Sequence, residues 1–105
     1  MDKTDALNIA HKYADAVKEK YSYIKIILFG SYAKGNYNDD SDIDIAVIFK
    51  DYSNLLDMQL ELMRIRRKVD SRIEPHPFRE NEFELSNPIV NEIIKYGHEI
   101  KINGH

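Results

Sequence analysis

The 105-residue sequence contains no cysteine and no tryptophan, and its formal net charge is -3. Without cysteine, neither disulfides nor thiolate metal sites can form. No apolar run approaches the roughly 18 residues that a bilayer-spanning helix needs. The opening Met-Asp-Lys-Thr-Asp lacks the apolar stretch of a signal peptide. A soluble, cytoplasmic protein is the expectation. The missing basic excess removes the usual driving force for broad binding to nucleic acid, while leaving room for a small triphosphate pocket.

What remains is an ordinary globular composition, 43% hydrophobic, with seven tyrosines and four phenylalanines supplying the largest core side chains. The length suits one domain covering residues 1–105. No internal repeat, low-complexity segment or linker interrupts it.

Hydrophobic spacing divides the chain into alternating elements. Leu7, Ala10, Ala14 and Val17 step by three and four, predicting an amphipathic helix over about 4–20 with Asp2 or Thr4 as N-cap. The β-branched and aromatic run Tyr23 to Phe29 predicts a buried strand ending at Gly30. Residues 31–41, rich in Gly, Asn, Asp and Ser, read as a long loop. A second strand is expected over Asp42 to Phe49. A helix capped by Ser53 should run to about Val69 on a stripe of Leu55, Met58, Leu62 and Ile65. A third strand is predicted from Ser71 to His76, stopped by Pro75 and Pro77. Arg79 to Leu85 reads as a short helical turn. Pro88 opens a last helix, which Gly97 should close in a left-handed conformation. His98 to Ile102 suits a small edge strand. This order predicts an α/β (α+β) domain with a mixed sheet of three to four strands and helices mainly on one face.

Chemistry concentrates in Ser41-Asp42-Ile43-Asp44. On a strand, Asp42 and Asp44 share a face while Ile43 and Ile45 take the other. Two carboxylates that close repel each other unless a cation lies between them, and hard oxygen donors suit Mg²⁺. An Asp-x-Asp alone is more often a solvated strand entrance. Its weight comes from Gly30-Ser31, which ends the preceding strand with ten residues between Ser31 and Asp42. A glycine lets backbone approach a phosphate, and the serine hydroxyl and following amides can donate to its oxygens.

Gly30-Ser31-Tyr32-Ala33-Lys34-Gly35, followed by Ser41-Asp42-Ile43-Asp44, resembles the signature of the polymerase-beta-like nucleotidyltransferase superfamily. In particular it is similar to the minimal nucleotidyltransferases, over about residues 23–97. The resemblance implies that Asp42 and Asp44 bind two Mg²⁺ ions that grip an NTP. Gly30 and Ser31 would hold its phosphates, and Lys34 would reach the triphosphate. It also implies a third carboxylate on a neighbouring strand, for metal binding or as general base. Glu74 and Asp70 are the candidates; on an extended strand they would stand roughly 13 Å apart, so both cannot be central. Arg79 and the Glu82-Phe83 pair downstream match the family spacing and favour Glu74, although glutamate replaces the more usual aspartate.

The remaining singled-out residues have plainer readings. Arg64, Arg66, Arg67 and Lys68 suit a solvated helix end. His76 beside Glu74 suits a strand-end role more than a catalytic one. Tyr32 and Tyr37 suit loop packing more than stacking on a base.

Minimal nucleotidyltransferases lack the extra domain of larger relatives, so the resemblance implies a second copy or a partner. The family expectation is a small helical HEPN protein, for which the nucleotidyltransferase serves as antitoxin, in some pairs by adding AMP from ATP to a tyrosine. A binding module with vestigial catalysis is the competing reading. Transfer to a small molecule such as an aminoglycoside is disfavoured by the absence of a C-terminal helical domain within these residues.

Overall fold

The computed structural model describes residues 1–101. Its elements are α1 (Lys3–Lys18), β1 (Lys25–Phe29), α2 (Ser31–Lys34), β2 (Ile43–Phe49), α3 (Leu55–Arg66), β3 (Ile73–Arg79), a 3-10 turn (Glu80–Glu82), α4 (Pro88–Tyr96) and β4 (His98–Glu99). The strands form one mixed sheet in the order β3-β2-β1-β4. β1 runs antiparallel to both β2 and β4, whereas β2 and β3 are parallel. Ile102 of the predicted tail strand lies outside the described residues.

β2 is the centre because its sequence is apolar on both faces. Ile43, Ile45, Val47 and Phe49 join Ile26 and Leu28 of β1, Ile73 of β3, and the buried stripes of α1 and α3. The alanines at 6, 10 and 14 let α1 lie close to the sheet, and all are fully buried. On the opposite face Ala46 and Ile48 pack with Ile27, Phe29 and Ile93 of α4. Three helices therefore take one side and α4 the other. A strand covered twice reads as a continuous apolar run, and this one is broken only where Asp44 interrupts it.

The helix caps refine the expectations. Asp2 caps α1 in a reciprocal box with Asp5. α3 is capped by Asn54, not Ser53, through a 3.0 Å bond from the Asp57 N–H. Regular helix ends at Arg66, and looser turns through Lys68 and Val69 carry the chain on to Asp70. Gly97 is not left-handed: its φ is -67° and ψ 156°. Glycine is needed there for space, because a Cβ would lie 2.2 Å from the Ile93 carbonyl oxygen and 2.6 Å from Ile27.

The prolines do not stop β3. The strand continues through Pro75 and Pro77 to Arg79. The Ile43 N–H donates to the Arg72 carbonyl, so even-numbered residues of β3 turn their backbone toward β2 and odd-numbered ones face the sheet edge. A proline on that edge gives up no ladder bond and blocks strand addition. The edge carbonyls are capped by side chains: Arg66 donates to Ile73, Gln59 to Pro75 and Tyr52 to Pro77, at 2.9, 2.9 and 3.4 Å.

Tyr13 couples α1 to α3. Its ring is fully buried and its hydroxyl donates to the Leu62 carbonyl at 2.8 Å. Burial raises the pKa of this phenol. Replacement Tyr13→Phe should keep the packing and lose the bond, costing about 1 kcal/mol in urea-induced unfolding, with the denaturant slope unchanged.

Candidate active site

Asp44 occupies the second position of β2 and is half-buried, while Asp42 immediately precedes the strand and is exposed. In the sheet register Phe29 of β1 and Glu74 of β3 are its direct neighbours. Parallel register places Asp44 and Glu74 side by side on one face, and Ala46 beside His76 two positions on.

The turn out of β1 brings backbone against this face. Gly30 has φ 74° and ψ -153°, a conformation that L side chains rarely adopt. A Cβ at Gly30 would lie 2.3 Å from Asp44 Oδ2 and 3.1 Å from its carboxyl carbon. Glycine is therefore required twice, for its backbone angles and for the carboxylate next to it. From Gly30 the chain enters the single turn of α2, whose Tyr32 and Ala33 are buried. The first amides of this turn have no acceptor within the helix.

The stretch predicted as loop is thus partly helical. Its remainder is ordered by Ser41, whose hydroxyl accepts from the Asn38 N–H at 2.9 Å, while the Asn38 side chain accepts from Asp40. These bonds set the entry into β2. Tyr32 and Tyr37 stack on each other, with centroids 4.7 Å apart, so loop packing occupies both rings. Lys34 is held by Glu92 of α4 at 2.5 Å and lies over the Tyr96 ring. In this conformation its ammonium pins α2 to α4.

The two third-acid candidates separate cleanly in position. Asp70 lies before β3, and its carboxylate takes two bonds from the Arg72 side chain, at 2.9 and 2.7 Å. Hydrogen bonding and charge from Arg72 lower the Asp70 pKa. Glu74 lies in register with Asp44, and Arg66 is 4.0 Å from its carboxylate. His76, read from the sequence as a strand-end residue, sits inside β3 with Nε2 3.1 Å from Asp44 Oδ1.

Among the described residues, no three His, Cys, Asp or Glu side chains already converge as a metal cluster. The donor chemistry nonetheless fits Mg²⁺, which commonly takes one or two carboxylates and completes its shell with water and substrate phosphates. The acids lie on an open face. A cleft of about 460 Å³ lies at the other end of β1, lined by Lys18, Tyr21, Tyr23, Lys25 and others, and includes none of them.

A glycine turn thus abuts a β2 carboxylate, and a second acid stands in register beside it on β3. The family described as "Nucleotidyltransferase domain" matches residues 10–99, and the chain belongs to it. Two similar curated relatives are protein adenylyltransferases by name. MJ0141 of Methanocaldococcus jannaschii, so assigned, is 30% identical over 79 residues, covering 72% of this chain and 77% of that one. MntA of Thermococcus cleftensis is 34% identical over 56 residues, 53% of this chain and 54% of its own length. Among solved structures, the complex of tri-AMPylated Shewanella oneidensis HEPN toxin with MNT antitoxin aligns with TM-score 0.63 at 20% identity, over 96% of this chain and 73% of the other. That likeness is one of fold. No helix among the described residues is long and apolar enough to cross a membrane.

Gly30→Ala should destabilise the protein by at least about 1 kcal/mol through its positive φ alone, and displace the Asp44 side chain, as read by urea unfolding and a structure of the variant. The Asp70–Arg72 pair carries a pH signature. Because the folded-state pKa of Asp70 is lowered from 3.8, its stabilising contribution is present above that value and lost as pH falls through the folded pKa. The stability difference between wild type and Arg72→Ala should therefore be largest near neutrality and shrink below about pH 4, as measured by thermal unfolding across pH.

Proposed function

We propose that the chain transfers AMP from ATP to a hydroxyl on a helical HEPN-type partner, and acts as the antitoxin of that pair in the cytoplasm. The observation that carries the reading is the contact of Gly30 with the Asp44 carboxylate, with Glu74 next to Asp44 in register. Phosphate-binding backbone, a metal-binding carboxylate and a third acid then meet at one place. The names of the relatives supply the direction: adenylyl transfer to protein, and a HEPN toxin carrying AMP. Exposed Ile89 and Tyr96, seven positions apart on one flank of α4, give a partner apolar contacts on the same side of the sheet as Asp44.

In this reading Asp42 and Asp44 hold one or two Mg²⁺ ions, with Glu74 as the third carboxylate. Bound Mg²⁺ would neutralise phosphate charge and acidify the attacking hydroxyl. The chain's own groups do the rest. Amides following Gly30 and the Ser31 hydroxyl donate to the β- and γ-phosphate oxygens. Glu74 accepts the proton of the acceptor hydroxyl. The acceptor oxygen forms a bond to the α-phosphorus as the bond to the bridging oxygen breaks, and pyrophosphate leaves. Lys34 contributes by bracing α2 on α4 and reaches phosphate only if Glu92 releases it.

Incubation with ATP labelled at the α-phosphate, Mg²⁺ and a candidate HEPN protein should label the partner. Asp42→Asn/Asp44→Asn should reduce the initial rate by at least about 100-fold, the scale of losing catalytic electrostatics. Neutralisation of the partner that survives the double variant, with no labelling by wild type, would instead establish a binding module.

A further inference from the structure

His76 is separated from Asp44 by 32 positions, yet its Nε2 lies 3.1 Å from Asp44 Oδ1. An ionised carboxylate only accepts hydrogen bonds, so Nε2 is the protonated nitrogen in this contact. The other carboxylate oxygen, Oδ2, faces Gly30. Asp44 is thus gripped on both sides, by a donor on one oxygen and by bare backbone at the other. The imidazole is itself held. It packs edge-on against Phe29, with ring centroids 5.0 Å apart, and Phe29 is both the register partner of Asp44 and the residue before Gly30. Its own register partner is Ala46, fully buried, whose methyl leaves the ring room to lean along β2 toward Asp44.

We propose that His76 is a positioning residue that fixes the rotamer of the Asp44 carboxylate for metal binding. This rests on the reading of Asp44 as a Mg²⁺ ligand. Left alone, a half-buried aspartate beside a glycine turn can rotate about χ1 and χ2, and each rotation moves both oxygens. One donated hydrogen bond directs Oδ1 toward β3 and leaves Oδ2 at the Gly30 turn, where a cation also reaches the phosphates. A partner of this kind orients a metal-binding carboxylate without touching the metal, and its loss typically weakens binding about 10–100-fold. His76 acts through Asp44 and needs no contact with nucleotide or acceptor.

The experiment is titration of the protein with Mn²⁺, alone and with ATP, free Mn²⁺ being read by electron paramagnetic resonance. The variants are Asp44→Asn, His76→Phe, His76→Asn and His76→Gln, each checked for folding by thermal unfolding. Phenylalanine keeps the ring packing and loses the donor, asparagine keeps a polar group too short to reach, and glutamine places an amide N–H near the Nε2 position. Wild type should bind and Asp44→Asn should not. His76→Phe and His76→Asn should bind at least about 10-fold more weakly, and His76→Gln should recover to within about threefold of wild type. Rates of AMP transfer should recover at saturating metal in the weakened variants, which separates a metal-affinity effect from general damage. Wild-type affinity in folded His76→Phe or His76→Asn overturns the proposal while leaving the metal reading of Asp44 intact. Absence of Mn²⁺ binding by wild type, with and without ATP, overturns that reading and the role of His76 with it.

Discussion

The α-carbon of Gly30 lies directly against the carboxylate of Asp44, and no side chain larger than hydrogen fits between them. This contact exists because β1 and β2 are antiparallel with Phe29 opposite Asp44, so the residue leaving β1 passes beside the acid entering β2. The positive φ at Gly30 then turns the chain into α2, which buries Tyr32 and Ala33 against the core. A one-residue slip of this register would separate the turn from the carboxylate and, by strand parity, send Asp44 to the face packed by α1 and α3.

β2 carries that constraint outward. It pairs with β1 on one side and β3 on the other, so the position of Asp44 decides which residues of both neighbours reach the site. From β3 those are Glu74 and His76, one in register with Asp44 and the other bonded to it. The edge of β3 is secured separately by two prolines and by side chains of Arg66, Gln59 and Tyr52 on its outward carbonyls. Alternation along β3 thus divides the work: even positions bind β2 through the backbone, with Glu74 and His76 turned to the face of Asp44, while Ile73, Pro75 and Pro77 are buried at odd positions.

Local rules located much of this. Period-three and period-four spacing found α1 and α3, Pro88 and Gly97 bracketed α4, the β-branched and aromatic run found β1, and the Gly-Ser and Asp-x-Asp pair marked the face. Other features escaped for identifiable reasons. Proline signals a strand stop within a sheet, but not where the missing N–H faces an edge, as at Pro75 and Pro77. Gly97 was read as a left-handed cap, whereas its constraint is the nearness of Ile27 and Ile93, and only one of those is local. The ion pair of Lys34 with Glu92, 58 positions away, has no local signature in the sequence. His76 became visible as a neighbour of Asp44 only once β3 was known to pair in parallel with β2.

The sequence by itself determined most of the elements, though not α2 or the full length of β3, together with the fold class and the short motif with its glycine and paired acids, because these depend mainly on neighbours within a turn or two of chain. Tertiary structure decided which acid stands beside Asp44, which side chain grips it, and where Lys34 goes. Those outcomes depend on strand register and on helix placement across the sheet. Register arises from burying both faces of β2 at once, a condition on the whole core that no segment carries alone. The contact of Gly30 with Asp44 shows both parts: the motif supplied the two residues, and the β1–β2 pairing brought them together.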